Sequence, residues 1–313
     1  DFKSPFICAF DQASVYDILV KDNFVYLATN NGIFYSKFST NANAFNFIKI
    51  EGLQGQSWSI QNIENDILIC HDTGIYKLRD GTFEKIDTQA GFWKITAIND
   101  KPGFYLASNY VGLYLITKEE GHWKIVNKIK GFDESSRDIL ADTEPNTYWV
   151  CHGYKGVYKL HFNSDYSRVD AVDHFTDKNG FKSPYNINVF NWKGKIIFTT
   201  NTGIYDYNNH NSRFELYEPL NKLFDPTKNT RKILVANNKT WFIQDDEAGY
   251  FDSNSENPKL NKDLFLNLKG SFNRGMESIY PLSNGKVFFG TNSGLYLYTI
   301  LDNKVTGKYP TII

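Results

Sequence analysis

Cysteine is scarce in this sequence, and its scarcity excludes two kinds of scaffold. The 313 residues include only Cys8, Cys70 and Cys151. Three cysteines so far apart supply neither a disulfide framework nor a zinc site. We therefore predict a fold held together by its hydrophobic core, without a metal.

An excess of one charge and long apolar runs are also missing. Lys and Arg number 34 against 35 Asp and Glu, whereas nucleic-acid-binding domains usually carry a basic excess. No apolar run approaches the roughly 18 residues of a membrane-spanning helix. We therefore expect no nucleic-acid partner and no direct membrane insertion. Because the chain starts at Asp1 without a signal peptide, we also expect any anchor or output domain to lie outside it.

Aromatic residues and glycine are abundant. Phe 25, Tyr 20 and Trp 6 together form 16% of the chain, beside 22 Gly. Aromatic side chains suit the pleated surface of a sheet, and Gly favours turns. With 41% hydrophobic residues the chain can also fill a core. The composition favours a β protein and excludes a helix bundle.

A repeat is visible along the whole chain. An apolar run, a short polar turn and a Gly followed by aliphatic or aromatic residues recur at Gly32, Gly74, Gly112, Gly156, Gly203, Gly249 and Gly294. Successive glycines are 42, 38, 44, 47, 46 and 45 residues apart. The Gly would follow the turn between the second and third strands, where a positive φ or a close backbone contact excludes a Cβ.

Each repeat unit divides into four short apolar segments separated by turn residues. Four antiparallel strands with a period of about 45 residues are typical of a propeller blade. We predict an all-β protein, a seven-bladed β-propeller of four-stranded antiparallel blades. The blades would span residues 15–52, 57–88, 93–131, 136–175, 185–218, 230–268 and 276–313. Residues 304–313 would form the last strand, and residues 1–14 either an outer closing strand or the tail of a preceding domain.

Three features of the sequence carry a family resemblance. The recurring turn plus Gly-Ile/Leu-Tyr, the linker at residues 52–56 (GLQGQ) and the stretch at residues 130–137 (KGFDESSR) resemble the two-component-regulator propeller repeats of Bacteroidetes sensors. The resemblance implies a sensor domain on the periplasmic or extracellular side of a bacterial inner membrane. It also implies a neighbouring propeller or triple-tyrosine domain as partner, and a histidine kinase or LuxR-type output beyond it.

The same resemblance implies two functions. Better known members of the family detect oligosaccharides, which makes an oligosaccharide or another small envelope-derived molecule the expected ligand. A related double-propeller protein binds anionic lipopolysaccharide in the type IX secretion system. The alternative is therefore a protein-interaction or surface-polysaccharide-binding propeller in a secretion or assembly machine.

The expected binding site is the mouth of the central channel. The residues two positions before the first Ile of each innermost strand are Tyr16, Trp58, Trp93, Arg137, Tyr185, Arg231 and Glu277. Aromatic rings stack on the apolar faces of sugars, and Arg binds uronate or sulfate through paired hydrogen bonds. The alternative is that these side chains merely wedge between blades.

The turns between second and third strands would face the same mouth. Among their residues are Tyr110, His152, Tyr154 and Lys155. One extra residue in blades three and four would enlarge these two loops and make this side the contact surface. Cys70 and Cys151 would occupy a small buried position that is equivalent to Ala28, Ala107, Thr199 and Gly290.

Catalytic motifs are missing from the sequence. It contains no Ser nucleophile elbow, no metal-binding His pair, no phosphate-binding Gly loop and no EF-hand pattern. We therefore predict a binding domain without a cofactor rather than an enzyme, and a propeller lyase or hydrolase is the less favoured alternative.

Overall fold

Seven small antiparallel sheets are arranged in a ring, so the predicted seven-bladed β-propeller is confirmed. The structure is a computed structural model that describes residues 5–87 and 89–300. Six sheets have four strands, and the sixth blade has three. The fourth position of blade six holds only an isolated bridge between Tyr250 and Asn261.

The strands of blades one to three follow the chain from the channel outward. Blade one contains β2 (Val15–Lys21), β3 (Phe24–Thr29), β4 (Gly32–Lys37) and β5 (Ile48–Lys49). Blade two contains β6 (Ser57–Ile63), β7 (Asp66–His71), β8 (Gly74–Arg79) and β9 (Thr82–Asp87). Blade three contains β10 (Phe92–Ala97), β11 (Phe104–Asn109), β12 (Gly112–Glu119) and β13 (His122–Lys128).

Blades four to seven repeat this order. Blade four contains β14 (Asp138–Ala141), β15 (Thr147–His152), β16 (Gly156–Phe162) and β17 (Val169–Phe175). Blade five contains β18 (Asn188–Trp192), β19 (Lys195–Thr200), β20 (Gly203–Asn208) and β21 (Arg213–Leu216). Blade six contains β22 (Thr230–Ala236), β23 (Lys239–Gln244) and β24 (Glu247–Asp252), and blade seven β25 (Ser278–Pro281), β26 (Lys286–Thr291) and β27 (Gly294–Thr299).

Among the described residues, helical structure is confined to three short segments. Helix α1 spans Glu218–Asn221, and 3-10 turns lie at Asp177–Asn179 and Asp263–Leu268. The last turn supplies the buried side chains of Phe265 and Leu268 to the core between blades six and seven. None of the helices among the described residues has the length and apolar character to cross a membrane.

The ring closes through the N-terminal segment. Strand β1 (Phe6–Phe10) pairs antiparallel with β27 and is the outer strand of blade seven. Hydrogen bonds from Ser14 Oγ to the Asn292 carbonyl (2.8 Å) and from Asn273 Nδ2 to the Val15 carbonyl (3.1 Å) join the two ends. The strand predicted over residues 304–313 lies outside the described residues.

The hydrophobic core lies between the blades. Each cluster of buried side chains joins one sheet to the next. In one of them, Trp149 of blade four packs edge-on against Phe198 of blade five at a centroid distance of 5.0 Å.

The two-residue hairpin turns contain residues that adopt a positive φ. Asp22 and Asn23, for example, both have positive φ (51° and 61°), as a two-residue turn that matches the strand twist requires.

Blade six departs from the predicted repeat at its glycine. Gln244 pairs with Glu247 across the turn, while Gly249 pairs with Phe242 further along the strand. Glu247 therefore occupies the position of the repeat glycine, and assigning that position to Gly249 was wrong. Gly249 instead leaves room for the ring of Phe242, which would lie 2.5 Å from a Cβ built there.

Candidate functional site

Equivalent positions on the seven innermost strands surround the channel. One buried position of each second strand holds a small side chain in every blade except the sixth, where it is Ile243. The residues that pair with this position are Asp17, Ser59, Lys94, Asp138, Asn188, Lys232 and Ser278, which we call the channel ring. The residues immediately before them are Tyr16, Trp58, Trp93, Arg137, Ile187, Arg231 and Glu277, which we call the mouth ring.

Tyr185 does not belong to the mouth ring. Asn188 pairs with Thr199, so Ile187 is the blade-five member, and its side chain is buried. Blade five has Val189 where the other blades have the Ile used as a reference, and counting back from Ile187 therefore selected the wrong residue. Tyr185 is 54% exposed on the connection that leads into blade five.

The aromatic members of the mouth ring form a continuous arc across three blades. Tyr16 and Trp58 stack at a centroid distance of 5.0 Å and an interplanar angle of 27°. Trp58 and Trp93 follow at 5.0 Å and 48°. All three side chains are partly exposed, so the arc presents ring faces and edges at the mouth of the channel.

Tyr110 holds this arc from the turn of blade three. Its ring lies 4.7 Å from that of Trp93, and its hydroxyl accepts a 2.7 Å hydrogen bond from Trp58 Nε1. The same hydroxyl donates to the carboxylate of Asp72. Burial and this carboxylate raise the pKa of Tyr110 above its ordinary value, so the hydroxyl stays protonated as a donor. These contacts hold the rings of the arc in place.

A cavity of about 520 Å³ opens beside the arc. Every blade except the fifth contributes to its lining, and Trp58, Trp93, Arg137 and Glu277 are brought together there with Tyr16. The structure thus assembles four of the predicted site residues at one opening. A cavity of this size is in the range of small-molecule sites.

The cavity also contains charged residues that sequence analysis missed. Asp17, Lys94, Asp138 and Lys232 line it from the channel ring, one position further along the strand than the mouth ring. Burial raises the pKa of Asp17 to about 6, although its carboxylate accepts hydrogen bonds from the backbone N–H groups of Ile60 and Ile18. These four residues could have been identified from the sequence, because each of them directly precedes a reference Ile and faces the same cavity as the mouth ring.

The two arginines of the mouth ring have different surroundings. Arg137 Nη2 lies 3.7 Å from Asp138, and Arg231 Nη2 lies 3.6 Å from Asp245, outside the residues that line the cavity. The Nε atoms of both are buried without a hydrogen-bond partner among the described residues. Glu277 is 8% exposed, and its Oε1 accepts a hydrogen bond from the Gly275 N–H at 3.0 Å.

The turn of blade four forms a separate cluster outside the cavity lining. Lys155 Nζ lies 2.7 Å from Glu134, and His152 is 6% exposed with its ring edge-on to Tyr154 at 4.5 Å. Burial lowers the pKa of His152. Tyr154 is 65% exposed. These residues belong to the rim of the propeller and not to the aromatic arc.

Only blade four carries the extra turn residue. His152 pairs with Gly156 across three residues, whereas Asn109 pairs with Gly112 across two, as in the other regular blades. The prediction of an enlarged turn in blade three was wrong, and it also shifted one equivalence. Ser108, not Ala107, occupies the small buried position there.

The cysteines lie as separate free thiols. Cys70 and Cys151 are buried at the small position of their blades, and Cys8 is exposed. Burial raises the pKa of the Cys70 thiol to about 12, which makes it unreactive at neutral pH. Within residues 5–87 and 89–300, no three His, Cys, Asp or Glu side chains converge in a way that could hold a metal ion.

Comparisons with known proteins establish the fold. No family model and no curated protein matches the sequence. Among solved structures, the chain is similar to the extracellular domain of BT3049 from B. thetaiotaomicron, described as a hybrid two-component system, with a TM-score of 0.66 and 16% identity. The alignment covers 92% of this chain and 40% of that one. The chain thus spans about two fifths of the length of this sensor ectodomain.

Two further neighbours have other roles. PorZ, a surface component of the type-IX secretion system of Porphyromonas gingivalis, aligns with a TM-score of 0.60 and 9% identity, covering 98% of this chain and 40% of its own. The structure of YCF48 bound to D1 peptide aligns with a TM-score of 0.66 and 14% identity. That alignment covers 95% of this chain and 94% of YCF48. At these identities the likeness is one of fold alone.

Proposed function

We propose that the chain is the ligand-sensing, extracytoplasmic propeller of a bacterial signal-transduction regulator, and that it binds an oligosaccharide or similar envelope-derived molecule at the channel mouth. The observation that carries this proposal is the arc of Tyr16, Trp58 and Trp93 beside a cavity of about 520 Å³. The arc offers apolar ring surface, and Arg137 offers charge-assisted hydrogen bonds next to it.

The proposed role is binding, without catalysis by this domain. The arc and Tyr110 are held by stacking and hydrogen bonds, so the site binds without reorganising. Ligand binding would act on the output by favouring one packing of this propeller on a neighbouring propeller or triple-tyrosine domain. The fold shared with the sensor ectodomain BT3049 supports this role.

Trp93→Ala and Arg137→Ala test the proposed site directly. Each is expected to weaken binding of the best ligand from a glycan panel about tenfold, which corresponds to about 1.4 kcal/mol. Trp93→Phe, which keeps an aromatic ring, should lose less, and Arg213→Ala on the exposed outer strand of blade five should lose nothing. Isothermal titration calorimetry gives the affinities. The proposal fails if no glycan binds, or if both alanine variants keep wild-type affinity.

A protein-interaction platform is the second candidate, and the exposed tyrosines favour it. Tyr154 and Tyr185 are 65% and 54% exposed. Their loops are tied together by a 2.9 Å hydrogen bond from the Asn186 N–H to the Gly153 carbonyl. Large exposed aromatic side chains are typical of binding hot spots.

The double variant Tyr154→Ala/Tyr185→Ala separates this candidate from the first. We expect it to retain glycan affinity, since neither side chain lines the cavity. If the chain is an assembly platform, pull-down from envelope extract should recover a stable glycan-free complex with the wild type and lose it with the double variant. Equal recovery by both proteins would reject this surface as the contact.

A further inference from the structure

The charged residues of the cavity differ in whether they have partners. On the acidic side, Asp17 accepts backbone hydrogen bonds with both oxygens, from Ile18 and Ile60 at 2.9 Å each. Glu277 accepts one from Gly275 at 3.0 Å. Asp138, the third acid of the lining, has no side-chain hydrogen bond among the described residues, and its closest cation is Arg137 at 3.7 Å. Two of the three acidic groups therefore already use acceptor capacity within the protein.

The basic side lacks such partners. Lys94 and Lys232 line the same cavity, and neither has an ion pair within 4.0 Å or a side-chain hydrogen bond among the residues that the structure describes. Arg137 Nε is likewise buried without an acceptor, and its closest carboxylate contact is the 3.7 Å approach to Asp138. The two ammonium groups and Arg137 Nε therefore keep hydrogen-bond donors without an acceptor among the described residues.

Unpartnered cations in a partly enclosed channel are unfavourable. Burial, together with the charge of Lys232, lowers the pKa of Lys94, while Asp138 and Asp17 partly offset this effect. Like charges placed in one cavity repel each other, and burying an ammonium without a partner costs free energy. An anion between these side chains would relieve both effects and use the free donors.

We propose that Lys94, Lys232 and Arg137 form an anion-binding subsite in the channel, next to the aromatic arc. The subsite would take a carboxylate, sulfate or phosphate group, and the ligand would be an acidic saccharide whose sugar ring stacks on the arc. The saccharide part of this inference rests on the proposed function. The anion site itself does not, because it can be tested with anions that carry no sugar.

Anion binding is tested with inorganic sulfate, inorganic phosphate and glucuronate, and glucose serves as the neutral probe. Calorimetric titrations at constant ionic strength compare the wild type with Lys94→Met and Lys232→Met. Each variant is expected to weaken binding of the anions about tenfold and to leave any binding of glucose unchanged. Lys182→Met is the matched control, since it removes the same charge from an exposed residue outside the cavity lining. Lys94→Gln is a second variant, and circular dichroism checks that each protein is folded.

The possible outcomes separate this inference from the proposed function. Sulfate, phosphate or glucuronate binding that both lysine variants weaken supports the subsite, even if no saccharide in the panel binds. Binding of neutral glycans alone overturns the subsite and leaves the proposed function intact. Absence of anion binding, or equal affinity in the wild type, both lysine variants and Lys182→Met, also overturns it.

Discussion

Replacing Gly32 by alanine is expected to destabilise the propeller by about 3–4 kcal/mol, the upper part of the range for a single substitution. Gly32 has a φ of +84°, where an L-residue with a Cβ is strained by about 1–2 kcal/mol. A Cβ on Gly32 would also lie 2.2 Å from the carbonyl oxygen of Leu53. The backbone must move to relieve this contact, which would disturb the 2.9 Å hydrogen bond from the Gly32 N–H to the Gly55 carbonyl.

Gly103→Ala is the matched control. Its φ of +82° is nearly the same as that of Gly32, but no atom lies within 4 Å of a Cβ built there. The strain alone should therefore cost about 1–2 kcal/mol. Urea unfolding followed by tryptophan fluorescence measures both variants. Equal losses of stability would show that the contact with Leu53 contributes nothing.

The same geometry explains why glycine recurs along the chain. In several blades the end of the outer strand, or the segment that follows it, passes directly over the repeat glycine. A Cβ on Gly112 would meet the Phe132 carbonyl oxygen at 2.6 Å, and one on Gly156 would meet that of Phe175 at 2.2 Å. Positive φ and close approach, which the sequence predicted as alternatives, occur together at these positions.

The periodic part of the fold could be predicted because it is local. Each glycine fixes one hairpin, and apolar alternation then fixes the strands on either side. The mouth ring was found in six blades by counting back from a reference Ile. The count failed in blade five because Ile187 itself occupies the mouth ring and Val189 replaces the reference residue. Counting positions from one residue type gives the wrong residue wherever a similar side chain replaces the reference residue.

The pairing of the charged side chains inside the channel could not be predicted in this way. The lack of partners for Lys94 and Lys232 depends on the hydrogen bonds that the carboxylates of three other blades already accept, and on where those carboxylates lie. Asp17, for example, is engaged by the N–H of Ile60, which is 43 residues away. Contacts between residues so far apart in sequence are visible only in the folded structure, and the proposed anion subsite rests on them.

Asp66 joins blades two and three in a similar long-range contact, and Asp66→Asn is expected to destabilise the protein by about 2 kcal/mol at neutral pH. The carboxylate lies 3.0 Å from Lys77 Nζ and 2.8 Å from Lys118 Nζ, and accepts a 2.8 Å hydrogen bond from Trp123 Nε1. Its side chain is 16% exposed. Removal of the negative charge leaves two ammonium groups beside each other without a counter-charge.

The pH dependence of this effect is a sharper test than its size. Burial would raise the pKa of Asp66, but hydrogen bonds from Lys118, Trp123 and Lys77 outweigh it and hold the pKa at about 2. Because this pKa lies below that of the unfolded chain, the stabilisation is fully present above about pH 4 and is lost as the pH falls towards 2. The stability difference between wild type and Asp66→Asn should shrink over this interval.

Asp80→Asn is the control: it removes the same charge from a residue that is 93% exposed, and it should change stability by less than about 0.5 kcal/mol throughout. A difference for Asp66→Asn that stays constant from pH 6 to pH 2 would show that the two lysines do not depend on its charge.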